Sequence, residues 1–219
     1  MIESTVQLIV ELPAIAYFGL DSPELEQFLL SATHNMIISC GSYVILFIVL
    51  SLISKQHFQE LTKSFRGWKP FVAAIIGLFI VYTFNFLYNS FLELINVPIA
   101  DNANENGLNE VMKQFPIISL IIFANLGPIC EELTYRVGLF SLLKRKNLYL
   151  AYIITILVFS FIHFDYTSIG TDAFFNELLN IPFYAFAGFI FTFLYEKFGL
   201  AGSATCHILN NTLDRKSVV

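Results

Sequence analysis

An all-α, polytopic transmembrane bundle of about six or seven membrane helices is the fold that this sequence predicts, and three observations carry that expectation. Of 219 residues, 56% are hydrophobic and 13% are charged, with a mean hydropathy of +0.68; ordinary globular domains carry about 25% charged residues. Several apolar runs reach the roughly 20 residues that a helix needs to cross a bilayer, and a helix satisfies its own backbone polar groups in hydrocarbon. Basic residues also cluster in two loops separated by acidic ones, the pattern of alternating membrane sides.

Taken from the N-terminus, the run Thr5 to Leu20 is short and holds Glu11 and Pro13. Residues 1–34 are therefore read as an amphipathic or weakly spanning segment, and 35–219 as the membrane-embedded domain. Asp21-Ser22-Pro23-Glu24 is a helix start, with proline and acids in the first turn. Spans are expected over Met36–Ile53 and Phe71–Ile95, and in the latter Asn85 and Asn89 are expected to hydrogen-bond to another helix. A third covers Ile117–Leu143, a fourth Leu148–Phe164, and a fifth runs from Phe174 or Leu178 to Tyr195. Gly199-Leu200-Ala201-Gly202 opens a last, short helix.

Lys55, Lys63, Arg66 and Lys69 in the first loop, with Lys144-Arg145-Lys146 after the third span, place both loops in the cytoplasm. The loops bearing Asp101, Glu105 and Glu110, and Asp165, Asp172 and Glu177, then face the other side. The tail Asp214-Arg215-Lys216 does not fit strict alternation. A net charge of -5 with no basic stripe argues against a nucleic-acid partner. Cys40, Cys130 and Cys206 lie in apolar runs without CxxC spacing and read as small buried hydrophobes. No signal peptide is expected, since Met1 to His34 contains no Lys or Arg.

The informative residues are the ionisable ones inside apolar runs, because each costs roughly 2.5 to 3.5 kcal/mol on insertion scales unless paired, hydrated or used. Glu131 and Glu132 adjoin in the third span, and Arg136 stands four residues after Glu132, a spacing that suits an ion pair. Glu131 points about 100° away, and one guanidinium neutralises only one of two carboxylates. Phe159 and His163 lie one turn apart in the fourth span, as do His207 and Asn211 in the last helix. An imidazole in an apolar helix can be a general base, a metal ligand or a satisfied core residue, and taken alone His163 reads as the last of these. Three such clusters on three spans point instead to a shared, partly hydrated cavity. His34 and His57, near loop ends, read as interfacial residues.

Glu131-Glu132-xxx-Arg136, Phe159-xxx-His163 and His207-xxx-Asn211, in that order, resemble the three motifs of the type II CAAX prenyl endopeptidase and bacteriocin-processing (CPBP, Abi) family of intramembrane proteases. Gly127-Pro128-Ile129 before the acids and Val137-Gly138-Leu139-Phe140 after the arginine are similar as well. Thr134-Tyr135 departs from the commoner Leu-Phe, and the likeness covers roughly Asn125 to Asn211, within a catalytic core of residues 117–213.

The resemblance implies an intramembrane endopeptidase in a multi-pass, bacterial plasma-membrane setting, acting on a membrane-associated peptide or protein, with bacteriocin self-immunity or peptide processing as its context. Glu131 would be general base on a water, His163 would hold that water, His207 and Asn211 would stabilise the oxyanion, and Glu132, Arg136 and Phe159 would support the architecture. Glu131, His163 and His207 could together hold a divalent metal such as zinc, although no HExxH helix is present. A non-enzymatic immunity or scaffold protein that keeps the fold is the alternative. A proton-relay transporter is permitted by the buried acids but lacks an inverted repeat of broken helices. At about 1.5 Å rise per residue the expected boundaries leave Glu131 and His163 at different depths, so boundaries must shift by a few residues for the site to form.

Overall fold

The computed structural model describes residues 2–97 and 111–215; Asp101, Glu105, Glu110 and Lys216 lie outside the described residues. Its elements are helices α1 (Ile2–Phe18), α2 (Pro23–Leu29), α3 (Ala32–Ser54), α4 (Phe58–Lys63) and α5 (Lys69–Leu94), then α6 (Pro116–Lys144), α7 (Leu148–Phe161) and α8 (Phe174–Arg215). Side-chain caps set the starts. Ser22 Oγ accepts from Leu25 N ahead of Pro23, Ser31 Oγ accepts from His34 N, and Asn147 Oδ1 accepts from Leu150 N.

Among the described residues, four helices are long and apolar enough to cross a membrane, those beginning at Ala32, Lys69, Pro116 and Phe174. Their outer faces expose large apolar side chains such as Ile75, Phe79, Phe86 and Ile121, which suits lipid rather than water. The chain is an integral, multi-pass membrane protein. At 17 residues α1 is shorter than these spans; it lies on α3, with Val6 pressed onto Gly41 and Glu11 Oε1 3.3 Å from His34 Nε2. His34 is thus buried rather than interfacial, whereas His57 is exposed beside Glu60.

Helix α8 contains the turn that organises the bundle. Gly199 has φ 73° and ψ -170°, a left-handed conformation that costs other residues roughly 1–2 kcal/mol. Beyond it the chain doubles back, so that Gly202 abuts the Leu194 carbonyl and Phe198 Cβ, and the ring of His207 stacks on that of Phe191. Two antiparallel arms result, α8a (174–198) and α8b (200–213). The expected last helix is therefore present as the second arm.

Three connections meet at one end of the bundle. Ser64, in the α3–α5 linker, accepts from Ala201 N at 3.1 Å, and Lys144, at the α6–α7 turn, lies 3.6 Å from Glu196 of α8a. Lys55, Lys63, Arg66, Lys69, Lys144, Arg145, Lys146 and Lys197 thereby gather at the same end. Between α5 and α8 a core of Ala74, Val81, Ile190, Phe191, Leu194 and Cys206 closes around Phe159.

Among the described residues, Asn85 and Asn89 make no bridge to another helix of the kind expected. Asn85 Oδ1 is buried without a hydrogen bond and Asn89 is exposed, while Tyr88, between them, donates to the Leu179 carbonyl of α8a at 3.2 Å. The face of α5 that meets α8 runs through Ala74, Val81 and Tyr88, and both asparagines lie to one side of it.

Candidate active site

Helix α6 departs from α-geometry on both sides of its acids. Residues Ile122–Leu126 and Glu132–Phe140 form π-turns, leaving Gly127–Glu131 as one short α-segment between them. Side chains help to satisfy the widened turns: Asn125 Nδ2 donates five residues back to Leu120 O at 2.8 Å, and Ser141 Oγ donates to Arg136 O at 2.9 Å. Such insertions are frequent where a helix must aim a functional side chain.

Glu132 is the hub. Its Oε1 accepts from Arg136 Nη1 at 3.0 Å and from His207 Nδ1 at 2.9 Å, and both Glu132 and Arg136 have zero exposure. A carboxylate can only accept, so His207 Nδ1 carries the proton of that bond. Arg136 Nη2 reaches Gly188 O on α8a at 3.3 Å, and the guanidinium lies 4.3 Å from the Phe159 ring centroid and 5.5 Å from that of Phe191. The ion pair expected from the four-residue spacing is therefore present, and its two residues join α6 to both arms of α8.

Glu131 faces the other way, as the 100° offset requires, and the two imidazoles converge on it. Its Oε2 lies 4.0 Å from His163 Nε2 and 3.8 Å from His207 Nε2, and that oxygen is buried without a hydrogen bond. His163 Nδ1 lies 2.8 Å from the Phe159 carbonyl, which can only accept, so here too Nδ1 is the donor. Three polar atoms thus meet at one place, the Nε2 atoms of both rings and a carboxylate oxygen, at distances that a bridging water could span. Glu131 and His163 are 19% and 17% exposed against 4% for His207, so the gap opens on their side.

Measured from the basic end of both helices, the depth conflict disappears. From the basic end, Glu131 lies thirteen residues before Lys144 and His163 fifteen after Leu148, in each case about 20 Å of helix. His163 also stands just beyond α7, which ends at Phe161, and is held by a turn from its N–H to Ser160 O at 3.2 Å.

Asn211 lies one turn beyond His207, and its Nδ2 donates to Phe123 O in the first π-segment at 3.3 Å. Phe159 is 2% exposed and sits beneath Arg136, edge-on to His207. Among the described residues no group of three His, Cys, Asp or Glu side chains is close enough to hold a metal ion. The set Glu131, His163 and His207 has suitable donors but is not assembled as a ligand cage.

Three residues absent from the motifs complete the surroundings, all on α8a. Tyr184 stacks on His163 with centroids 4.5 Å apart and planes 14° apart; Phe191 stacks on His207 at 4.4 Å and 20°; Gly188 presents its carbonyl to Arg136. In a chain with 24 Phe and 10 Tyr, no sequence signal separates these two aromatics from the lipid-facing ones.

Residues 113–213 match the family model for the type II CAAX prenyl endopeptidase Rce1-like family. Among curated proteins, the chain is 28% identical over 134 residues to UPF0177 protein YvdC of Lactococcus lactis, covering 60% of this chain and 47% of that one. It is 24% identical over 155 residues to YdiL of Bacillus subtilis, provisionally named a membrane peptidase, covering 70% and 58%. UPF0177 protein YbdI of Lactococcus lactis is 28% identical over 124 residues, covering 55% and 66%. The chain thus spans about half to two thirds of the curated relatives it matches. No solved structure matches it.

Proposed function

From the premise that residues 113–213 are similar to Rce1-like type II CAAX prenyl endopeptidases, we propose that this chain is an intramembrane endopeptidase. It hydrolyses a peptide bond in a membrane-associated peptide or protein through a water activated by Glu131. The observation that carries the reading is the gap where Glu131 Oε2 meets His163 Nε2 at 4.0 Å and His207 Nε2 at 3.8 Å.

A water in that gap donates one hydrogen to Glu131 and the other to His163, which leaves an oxygen lone pair for the scissile carbonyl carbon. As the C–O bond forms, the proton passes to Glu131 and negative charge develops on the carbonyl oxygen. His207 and the second Asn211 N–H stabilise that oxyanion. Glu131 returns its proton to the departing amine as the C–N bond breaks. Glu132 takes no part in proton transfer: it orients His207 through Nδ1 and is held by Arg136.

The biological context proposed is bacteriocin self-immunity or peptide processing, with both basic loops in the cytoplasm. A non-enzymatic immunity or scaffold role is the competing reading. The discriminating experiment expresses wild type and Glu131→Gln in membranes and compares released peptides by mass spectrometry. Glu131→Gln should insert and fold normally yet release nothing, because the amide cannot take the proton. Full processing by that variant overturns the mechanism. Immunity conferred by wild type with no cleavage product establishes the scaffold role instead.

A further inference from the structure

We infer that the α3–α5 linker is a binding site for anionic phospholipid headgroups of the leaflet in which it lies, and that this contact holds the α8 reversal in place. Residues 55–69 carry Lys55, Lys63, Arg66 and Lys69 against Glu60 alone, and all four basic side chains are exposed. Among the described residues none of the four lies within ion-pair distance of a carboxylate, whereas Lys144 and Lys197 share Glu196 at 3.6 and 3.7 Å. Phe58, Phe65 and Trp68 stand between these charges, and they are exposed too.

Water suits the charges but not three exposed aromatics, and hydrocarbon suits the aromatics but not the charges. The membrane interface takes both, because rings settle at headgroup level while Lys and Arg reach the phosphates. The linker joins two spanning helices, and Trp68 and Lys69 open the second of them, so the patch sits at headgroup depth. Four basic residues against one acid favour an anionic over a zwitterionic lipid, since clusters of that size beside a span attract acidic headgroups. Retention of basic loops on one side of the membrane would explain the charges alone; it gives no reason for the aromatics or for the seating of Ser64 on α8.

Ser64 ties this patch to the helix that carries His207 and Asn211. Its hydroxyl donates to Leu61 O at 3.1 Å and accepts from Ala201 N at 3.1 Å. Ala201 lies in the first turn of α8b, where backbone N–H groups have no acceptor within the helix, so a residue of the linker does the work of a local cap. The fit is close: a Cβ on Gly199 would lie 2.8 Å from that of Ser64. Lys63 and Arg66 flank Ser64, and headgroups that engage them press it onto the reversal that returns His207 to Glu132.

Trp68 is the single tryptophan of the chain, so its emission reports the lipid beside the patch. The full chain is reconstituted in bilayers of equal phosphatidylcholine and phosphatidylglycerol, with bromine on the acyl chains of one lipid or the other. Brominated phosphatidylglycerol should quench Trp68 at least roughly 2-fold more strongly than brominated phosphatidylcholine. Lys63→Gln with Arg66→Gln should abolish the preference, and Lys63→Arg with Arg66→Lys should keep it; Lys55, Lys69, Lys144 and Arg145 remain in both to maintain the orientation. Hydrogen exchange over residues 199–206, followed by mass spectrometry, should be slower in the mixture than in phosphatidylcholine alone. Ser64→Ala should remove that difference while keeping the quenching preference. Equal quenching by the two lipids in wild type, or a preference that survives Lys63→Gln with Arg66→Gln, overturns the site and leaves the charges to topology or to an acidic protein. A quenching preference with identical exchange in both membranes overturns the hold on α8. Neither measurement involves cleavage, so an active Glu131→Gln would remove the endopeptidase reading and leave this inference standing.

Discussion

Arg136 lies at zero exposure between a carboxylate, a backbone carbonyl and two aromatic faces, so its removal strands charge where water does not reach. Breaking a buried pair by deleting one partner costs about 3–5 kcal/mol, whereas replacing both by apolar groups of similar size is often close to neutral. Arg136→Met should therefore lower the thermal midpoint in detergent sharply, and Glu132→Leu combined with Arg136→Met should recover much of that loss. The recovered protein should still be inactive, since His207 has lost the acceptor for Nδ1. Thermal unfolding alongside a cleavage assay checks both halves, and a double variant no more stable than Arg136→Met contradicts the account. Glu132 and Arg136 were legible as a pair from spacing alone because the interaction is local. That His207 joins the same oxygen was not legible, because the residues are 75 positions apart and only the bundle brings them together.

At the scale of elements, two glycines mark places where a methyl group has nowhere to go. Gly188→Ala would set a Cβ 2.9 Å from Phe159, a ring that cannot yield easily because Arg136 lies on it. Overpacking of this kind costs about 1–3 kcal/mol, so the variant should unfold at lower temperature and cleave more slowly. Gly199→Ala combines the left-handed penalty with a Cβ 2.8 Å from that of Ser64, and should destabilise by at least about 1–2 kcal/mol in the same measurement. Unchanged stability in either variant would show that the neighbouring segment shifts freely. The boundaries of the long helices followed closely from apolar run length, a property of the chain alone. The π-turns of α6 did not, since nothing in Ile122–Leu126 or Glu132–Phe140 distinguishes them from ordinary apolar helix. Asn85 shows the reverse limit: a polar residue at membrane depth looked like a bridge, and the helix rotation set by Ala74 and Val81 left it beside the contact.

For the whole molecule, the meeting of Ser64, Lys144, Glu196 and Gly199 at one end makes the membrane topology testable. Basic residues concentrate there, while Asp165 and Asp172 lie beyond α7, towards the other end. Cysteines introduced at Arg66 and at Asp172 in a background lacking Cys40, Cys130 and Cys206 should react with an impermeant thiol reagent from opposite sides, Arg66→Cys only after the cytoplasmic face is opened. Labelling of both from one side contradicts the arrangement. The same depth measure explains why the site forms, because Glu131 and His163 each lie about 20 Å of helix from that basic end.

The amino-acid sequence by itself determined that this is a multi-pass helical membrane protein and which ionisable residues lie at lipid depth, because composition, run length and four-residue spacing are local quantities. Only the tertiary structure decided which atoms face one another. The Gly199 reversal carries His207 back beside Glu132, α7 ends where His163 can turn towards Glu131, and α8a lays Tyr184 and Phe191 over the two rings. The physical reason is that contacts between residues far apart in the chain depend on helix rotation and on a single left-handed turn, neither of which has a periodic signature in the chain.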